Sequence, residues 1–186
     1  MKPFIQATLL ASLLIGSQAS ARTVSDVEVT EQLSVANQTL QLNGAGVRSK
    51  FFMDLYVGSL YTPSQVSNTQ AVLDADIAAI RLNITSGLIT SDKMHDAIIE
   101  GFESATNDNM APIQPEIDAF MALFTAEIVE GDQFTFEAQK GLGVTAYKNG
   151  EKQATIEGEA FRQALLNIWL GDKPAQKSLK KAMLAL

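Results

Sequence analysis

The sequence predicts an α+β domain in which an antiparallel sheet carries helices on one face. Three observations lead there. The chain runs through strands, then helices, then a meander, then helices again, and such segregation builds an antiparallel sheet with a separate helical layer. Asn149-Gly150 between two alternating segments is a strong hairpin signal. Leu42 to Thr62, LNGAGVRSKFFMDLYVGSLYT, contains a long aromatic strand pattern that is largely apolar on both faces towards its C-terminal end, as a central, doubly covered strand requires.

The chain has 186 residues, and its start reads as a leader. Lys2 is basic, Phe4 to Ile15 is short and mostly apolar, and Ala19-Ser20-Ala21 has the A-x-A pattern of a cleavage site before Arg22. The apolar run falls short of the roughly 20 residues that span a bilayer. A signal peptide, Met1 to Ala21, and a periplasmic or secreted protein are therefore expected. Removing 21 residues from 186 leaves 165, residues 22–186, enough for a single domain with its own core. Losing Lys2 takes the formal charge from −7 to −8. That acidity argues against nucleic acid and against anionic membrane surfaces as partners, and no stable membrane insertion is expected. With no cysteine, disulfides and thiolate metal sites are excluded.

Taken in order, Val24, Val27 and Val29, then Leu33, Val35, Leu40 and Leu42, alternate as short strands with a turn at Asn37-Gln38. Gly44-Ala45-Gly46 reads as an interruption, after which Val47 to Tyr61 resumes as one long strand ended by Pro63. Ser67 or Asn68 suits the cap of a short helix through Leu73, and Ile77 to Thr85 is strand-like. Ser91 is a candidate N-cap for a helix carrying Met94, Ala97, Ile98, Gly101, Phe102 and Ala105, with Asn107-Asp108-Asn109 as its stop. A second helix follows Pro115, with Ile117, Phe120, Met121, Phe124 and Ile128 as its stripe. From Gly131-Asp132 a meander opens, turning at Lys140-Gly141 and Asn149-Gly150. Glu159 to Leu170 is a helix ended by Gly171, and Pro174 is expected to start a last one.

Most catalytic templates fail on composition. His95 is the only histidine, so a histidine-rich metal centre is excluded, and its place within a helix reads as surface or boundary. Gly141-Leu142-Gly143 lies between two strands rather than before a helix, which suits a hairpin better than a phosphate loop. No metal and no cofactor are expected. Arg48 stands out. An arginine keeps its charge at any ordinary pH, so at the head of a buried strand it reaches solvent, pairs with an acid, or receives an anionic ligand. Asp54 is the nearby acid: an edge residue, or a partner for Arg48 or Lys50. The planar fork of an arginine suits a carboxylate, held by two parallel hydrogen bonds.

The run GAGVR, Gly44 to Arg48, followed by KFFMDLYVGSLY, resembles the chalcone isomerase superfamily, and within it the bacterial chalcone-isomerase-like proteins with signal peptides. The resemblance continues through Gly131-Asp132, Lys140-Gly141-Leu142-Gly143 and Asn149-Gly150 to IWLGDKPAQKSLKKAML, Ile168 to Leu184. It implies an open-faced β-sandwich, a large antiparallel sheet with a helical layer on one side and a cleft between. It also implies that Arg48 matches the arginine that binds the substrate phenolate in the plant isomerases. The other catalytic positions of the family fall near Leu55, Thr90, Ala97, Ile168 and Trp169, none of which restores the family's set. Non-catalytic members, the plastid fatty-acid-binding proteins, use the same arginine to hold a carboxylate.

The expected function is therefore a non-catalytic periplasmic binding protein for a fatty acid or similar amphipathic carboxylate. Arg48 would anchor it in an apolar cleft lined by Leu55, Tyr56, Thr90, Ala97, Ile168 and Trp169. An isomerase- or lyase-type enzyme using Tyr56, Tyr61 or Thr90 beside Arg48 is one alternative. A structural or interaction protein with Arg48 paired internally to Asp54 is the other. No catalytic residue is assigned, and the oligomeric state is left open.

Overall fold

A computed structural model describes residues 21–186; apart from Ala21, the leader expected over Met1 to Ala21 lies outside the described residues. Two short strands, β1 (Ala21–Val24) and β2 (Val27–Thr30), form a separate hairpin. A seven-stranded antiparallel sheet follows in simple sequential order: β3 (Gln32–Val35), β4 (Gln38–Lys50), β5 (Met53–Thr62), β6 (Ile77–Ile84), β7 (Gln133–Gln139), β8 (Gly143–Lys148) and β9 (Glu151–Glu157). The helices fill the longer connections and the C-terminus: α1 (Thr69–Asp74), α2 (Ser91–Thr106), α3 (Gln114–Met121), α4 (Glu159–Leu170) and α5 (Lys177–Met183). This is the predicted α+β architecture of a curled antiparallel sheet with a helical layer.

Alternation along the strands separates two cores. Tyr56 and Leu60, Ala78 to Ile84 in steps of two, Phe134 and Phe136 face the helices, where Phe102, Phe120, Phe161 and Trp169 meet them. Edge-to-face and tilted contacts join Phe102, Phe120 and Phe161, and Trp169 stacks on Phe136 at 6.0 Å. Val57, Tyr61, Ile77 and Ala79 point the other way, under the β1–β2 hairpin with Val29, Val35 and Leu40. Two-sided burial of β5 follows from the apolar run on both of its faces.

Among the described residues two charged side chains are buried, Asp132 and, more completely, Arg162. Arg162 on α4 is 0% exposed, with Nη2 donating to Glu159 Oε1 at 2.6 Å and to Leu73 O at 2.6 Å. The Arg162 hydrogen bonds hold the Glu159 carboxyl down to about 2, against an opposing push from burial and with help from Gln163 and the Gly141 backbone. This network ties α4 to the end of α1 and to the β7–β8 turn.

Several expectations about boundaries are corrected. Gly44 and Gly46 do not interrupt the chain: β4 runs through them to Lys50, and the break falls at Phe51-Phe52. A two-residue type I′ turn needs positive φ at both positions, and Phe51 and Phe52 adopt φ of 51° and 67°. The expected long strand from Val47 to Tyr61 is thus two antiparallel strands. Arg48 lies near the end of the first, opposite Tyr56 in the second. The cap of α2 is Thr90 rather than Ser91, its Oγ1 accepting from Lys93 N at 3.3 Å. The first hairpin of the sheet turns at Ala36-Asn37, one residue before the expected place. The last helix starts at Lys177, three residues after Pro174.

Candidate functional site

Two glycines and a bulge determine what surrounds Arg48. Asn43 is the extra residue of a β-bulge between Leu42 and Gly44. The bulge turns its buried side chain to Met183 O at 2.8 Å, Val66 O at 2.9 Å and Val66 N at 2.7 Å, fastening the end of α5 to the sheet. Gly44, Gly46 and Arg48 then share one face of β4, because side chains alternate. A Cβ on Gly44 would overlap the Ala182 carbonyl oxygen, and one on Gly46 would lie 2.6 Å from the Ala182 methyl. The glycines are therefore there for close approach: they let α5 lie directly on the strand. Seating α5 brings its N-cap residue, Gln176, beside Arg48.

Arg48 is half-buried, and its Nη1 donates to Gln176 Oε1 at 3.1 Å. The same oxygen accepts from Ser49 N at 3.0 Å, while Gln176 Nε2 donates to Val47 O at 3.3 Å and Ser178 Oγ at 2.6 Å. The amide is held on all sides, so the guanidinium it receives is held too. Across the strand pair stands Tyr56, whose hydroxyl accepts from Trp169 Nε1 at 2.9 Å. Burial pushes the Tyr56 phenol above its ordinary value, partly offset by the Trp169 bond and the neighbouring Arg48 charge. At neutral pH Tyr56 is thus a neutral hydroxyl that accepts from Trp169 and lies against the Arg48 guanidinium, with its own proton left to donate. Among the described residues no carboxylate lies within ion-pair distance of Arg48. The acid considered for it, Asp54, instead accepts from Ser49 Oγ at 2.8 Å and Ser25 Oγ at 3.0 Å. That corrects the internal Arg48–Asp54 pair. Arg48, Tyr56 and Gln176 together present a cation held by an amide and a phenol donor, groups whose chemistry suits an anion.

Compared with known families, residues 21–185 match the chalcone isomerase-like family. The chain belongs to the chalcone isomerase-like family. No curated protein matches it. Among solved structures, a fatty-acid binding protein of Arabidopsis thaliana is similar, with a TM-score of 0.62 at 14% identity, over 83% of this chain and 96% of that one. At that identity the likeness concerns the fold.

Chalcone isomerase-like membership does not bring every expected site residue together. Arg48, Tyr56 and Trp169 form one connected group. Leu55, half-buried, is the unpaired residue of a second bulge between the Arg48–Tyr56 and Ser49–Asp54 pairs, next to that group in the chain. Ile168 is buried but turned to α2, where its Cγ2 packs against Gly101. Thr90 and Ala97 lie exposed on α2, with the Thr90 hydroxyl used as a helix cap. Tyr61 points to the opposite face, donating to Thr30 O at 3.0 Å. His95 is exposed on α2. Gln176 is the contributor that sequence reasoning missed. Its only local signal is a position just before a short helix, and nothing there indicates a contact 128 residues back along the chain.

The open apolar cleft expected beside Arg48 is corrected: the helical side of the group is closed, with Tyr56 8% and Trp169 3% exposed. Trp169 is stacked on Phe136 and nearly all of the helical face is closed. Two surface grooves lie elsewhere, one lined by Gln38, Thr62, Asp74 and Asp76, the other by Thr69, Leu73, Asn107, Asn167 and Lys173. Neither reaches Arg48.

Proposed function

We propose that this chain binds a fatty acid or similar amphipathic carboxylate, with Arg48 as the anchor, and that it does so after export through its N-terminal leader. The observation that carries the reading is a half-buried guanidinium whose hydrogen-bond partner is a neutral amide, Gln176, and which has no carboxylate within reach among the described residues. Arginine cannot shed its charge to suit such a place, so an anion is what completes it. The Tyr56 hydroxyl supplies a second donor, and the fixed Gln176 amide keeps the fork from swinging away. The fatty-acid binding protein of similar fold supports the same reading.

An acyl tail needs apolar surroundings, and burying each methylene contributes about 0.8 kcal/mol. Leu55 and the helical face beside Trp169 supply that lining once the side chains above Tyr56 give way, with α5 and its Gln176 amide staying in place. Such local rearrangement is common in ligand capture. An isomerase or lyase reading fits less well. Proton transfer at neutral pH favours a group poised near that pH, whereas Tyr56 is pushed the other way and Thr90 is used in capping α2.

Native mass spectrometry of the protein expressed with its leader and recovered from the periplasmic fraction tests the reading. A start at Arg22 and bound carboxylates of fatty-acid mass are the expected result. Recovery of a ligand-free chain that also fails to take up added dodecanoate would remove the proposal.

A further inference from the structure

The β4–β5 hairpin ends in two phenylalanines where the chemistry of the turn asks for something else. Four two-residue hairpins occur among the described residues, and each has positive φ at both turn positions: Ser25-Asp26, Ala36-Asn37, Phe51-Phe52 and Asn149-Gly150. Three of them use small or polar residues, as such turns prefer. Phe51-Phe52 breaks the rule twice. A bulky residue at positive φ is strained, and Phe51 and Phe52 are 79% and 107% exposed, with Met53 beside them at 46%. Both local conformation and hydration oppose the pair, so its use lies outside the folded domain.

We propose that this tip docks the protein reversibly on a lipid surface, the rings entering the headgroup–acyl boundary. Three features favour lipid over protein. Two aromatic side chains on a protruding turn offer about 300–500 Å², well below the roughly 800 Å² that each partner contributes to a stable protein interface. Lys50, adjacent in sequence, places its Nζ 5.9 Å from the exposed Phe51 ring centroid, so a cation would accompany that ring at the headgroup level, as at membrane interfaces. The nearest acid in the hairpin, Asp54, is turned to Ser25 and Ser49. With a whole-chain charge of −7 and a tip of two rings, attachment is peripheral and weak rather than an insertion. This inference does not depend on the Arg48 ligand, and its test contains none.

Sedimentation with net-neutral phosphatidylcholine vesicles, which the acidic chain does not repel, decides it. The wild type is expected to pellet, and F51N/F52G to lose about tenfold or more of that partition. Because Asn-Gly is the preferred pair for this turn, the same variant is expected to unfold at an equal or higher temperature, which separates lost docking from lost fold. Lys50→Gln should weaken pelleting to a smaller extent. A wild type that stays in the supernatant, or an F51N/F52G variant that pellets equally, overturns the proposal. So does a wild-type dimer in sedimentation velocity that F51N/F52G disperses while vesicle binding is absent, since the occupant would then be a second copy.

Discussion

Substituting alanine at the two glycines beneath α5 probes how the fold places Gln176 next to Arg48. At Gly44 the new methyl meets backbone, overlapping the Ala182 carbonyl oxygen and lying 2.9 Å from Met183 O. Neither atom has a rotamer to escape into, so α5 must lift. Overpacking of this kind costs about 1–3 kcal/mol, here at the upper end. The lost flexibility of the unfolded chain returns about 0.4–1 kcal/mol. A net loss of about 2 kcal/mol is expected, a fall in Tm of about 4–8 °C for a domain of this size. At Gly46 the clash is with the Ala182 methyl at 2.6 Å, which a second substitution can remove. Ala182→Gly should therefore rescue Gly46→Ala, with a coupling of about 1 kcal/mol in a double-mutant cycle, and should leave Gly44→Ala unrescued. Gly58→Ala, whose new contacts with Leu179 and Tyr56 are ordinary at 3.4–3.6 Å, serves as the control and should stay within about 0.5 kcal/mol of wild type. Urea unfolding of the wild type and the six variants reads all of this. Equal stability of Gly44→Ala and wild type, or rescue of both glycine variants alike, would refute the role given to these glycines.

Other consequences follow from single contacts. Tyr56→Phe removes the acceptor of the buried Trp169 N–H and should lower stability by about 1–3 kcal/mol, read by urea unfolding; full stability would show that the Trp169 bond is not held in solution. Gln176→Ala should leave that bond intact yet weaken dodecanoate binding about tenfold, the cost of losing one hydrogen bond to a charged group. Glu159 has a carboxyl depressed to about 2 from an ordinary 4.5, so its contribution is present above pH 4.5 and lost as pH falls towards 2. Glu159→Gln should flatten that acid limb of the stability profile. It should also cost about 3 kcal/mol at pH 7 by stranding Arg162, although solvent screening of the partly exposed Glu159 trims this figure.

The sequence showed the fold class because the signals for it are local. Asn149-Gly150 is a turn by chemistry, Asn68 and Asn107 cap by side chain or left-handed backbone, and Phe134 and Phe136 alternate at the period of a strand. The first error had an equally physical cause. Glycines are read as interruptions and phenylalanines as strand, but at Gly44 and Gly46 the need was for a helix to lie close, and at Phe51-Phe52 a turn is built from residues that disfavour it. Arg48 was identifiable because a cation among buried residues is anomalous wherever it falls. Its surroundings were not. The bulge at Asn43, the seat of α5 and the reach of Gln176 to Arg48 are long-range contacts with no periodic trace in the chain. The family's catalytic positions pointed equally to Thr90 and Ala97, which α2 presents to solvent.

The central claim is that Arg48 selects a carboxylate, and comparing an acid with an alcohol of the same chain tests it most directly. Isothermal titration of dodecanoate and dodecanol at neutral pH, against wild type and Arg48→Gln, separates the anchor from the tail. Charge-assisted hydrogen bonds of about 1.5–3 kcal/mol predict that wild type prefers the acid by about 10-fold to 150-fold, and that Arg48→Gln binds the two alike. A wild type that does not distinguish acid from alcohol, or a preference that survives the loss of Arg48, would contradict the account.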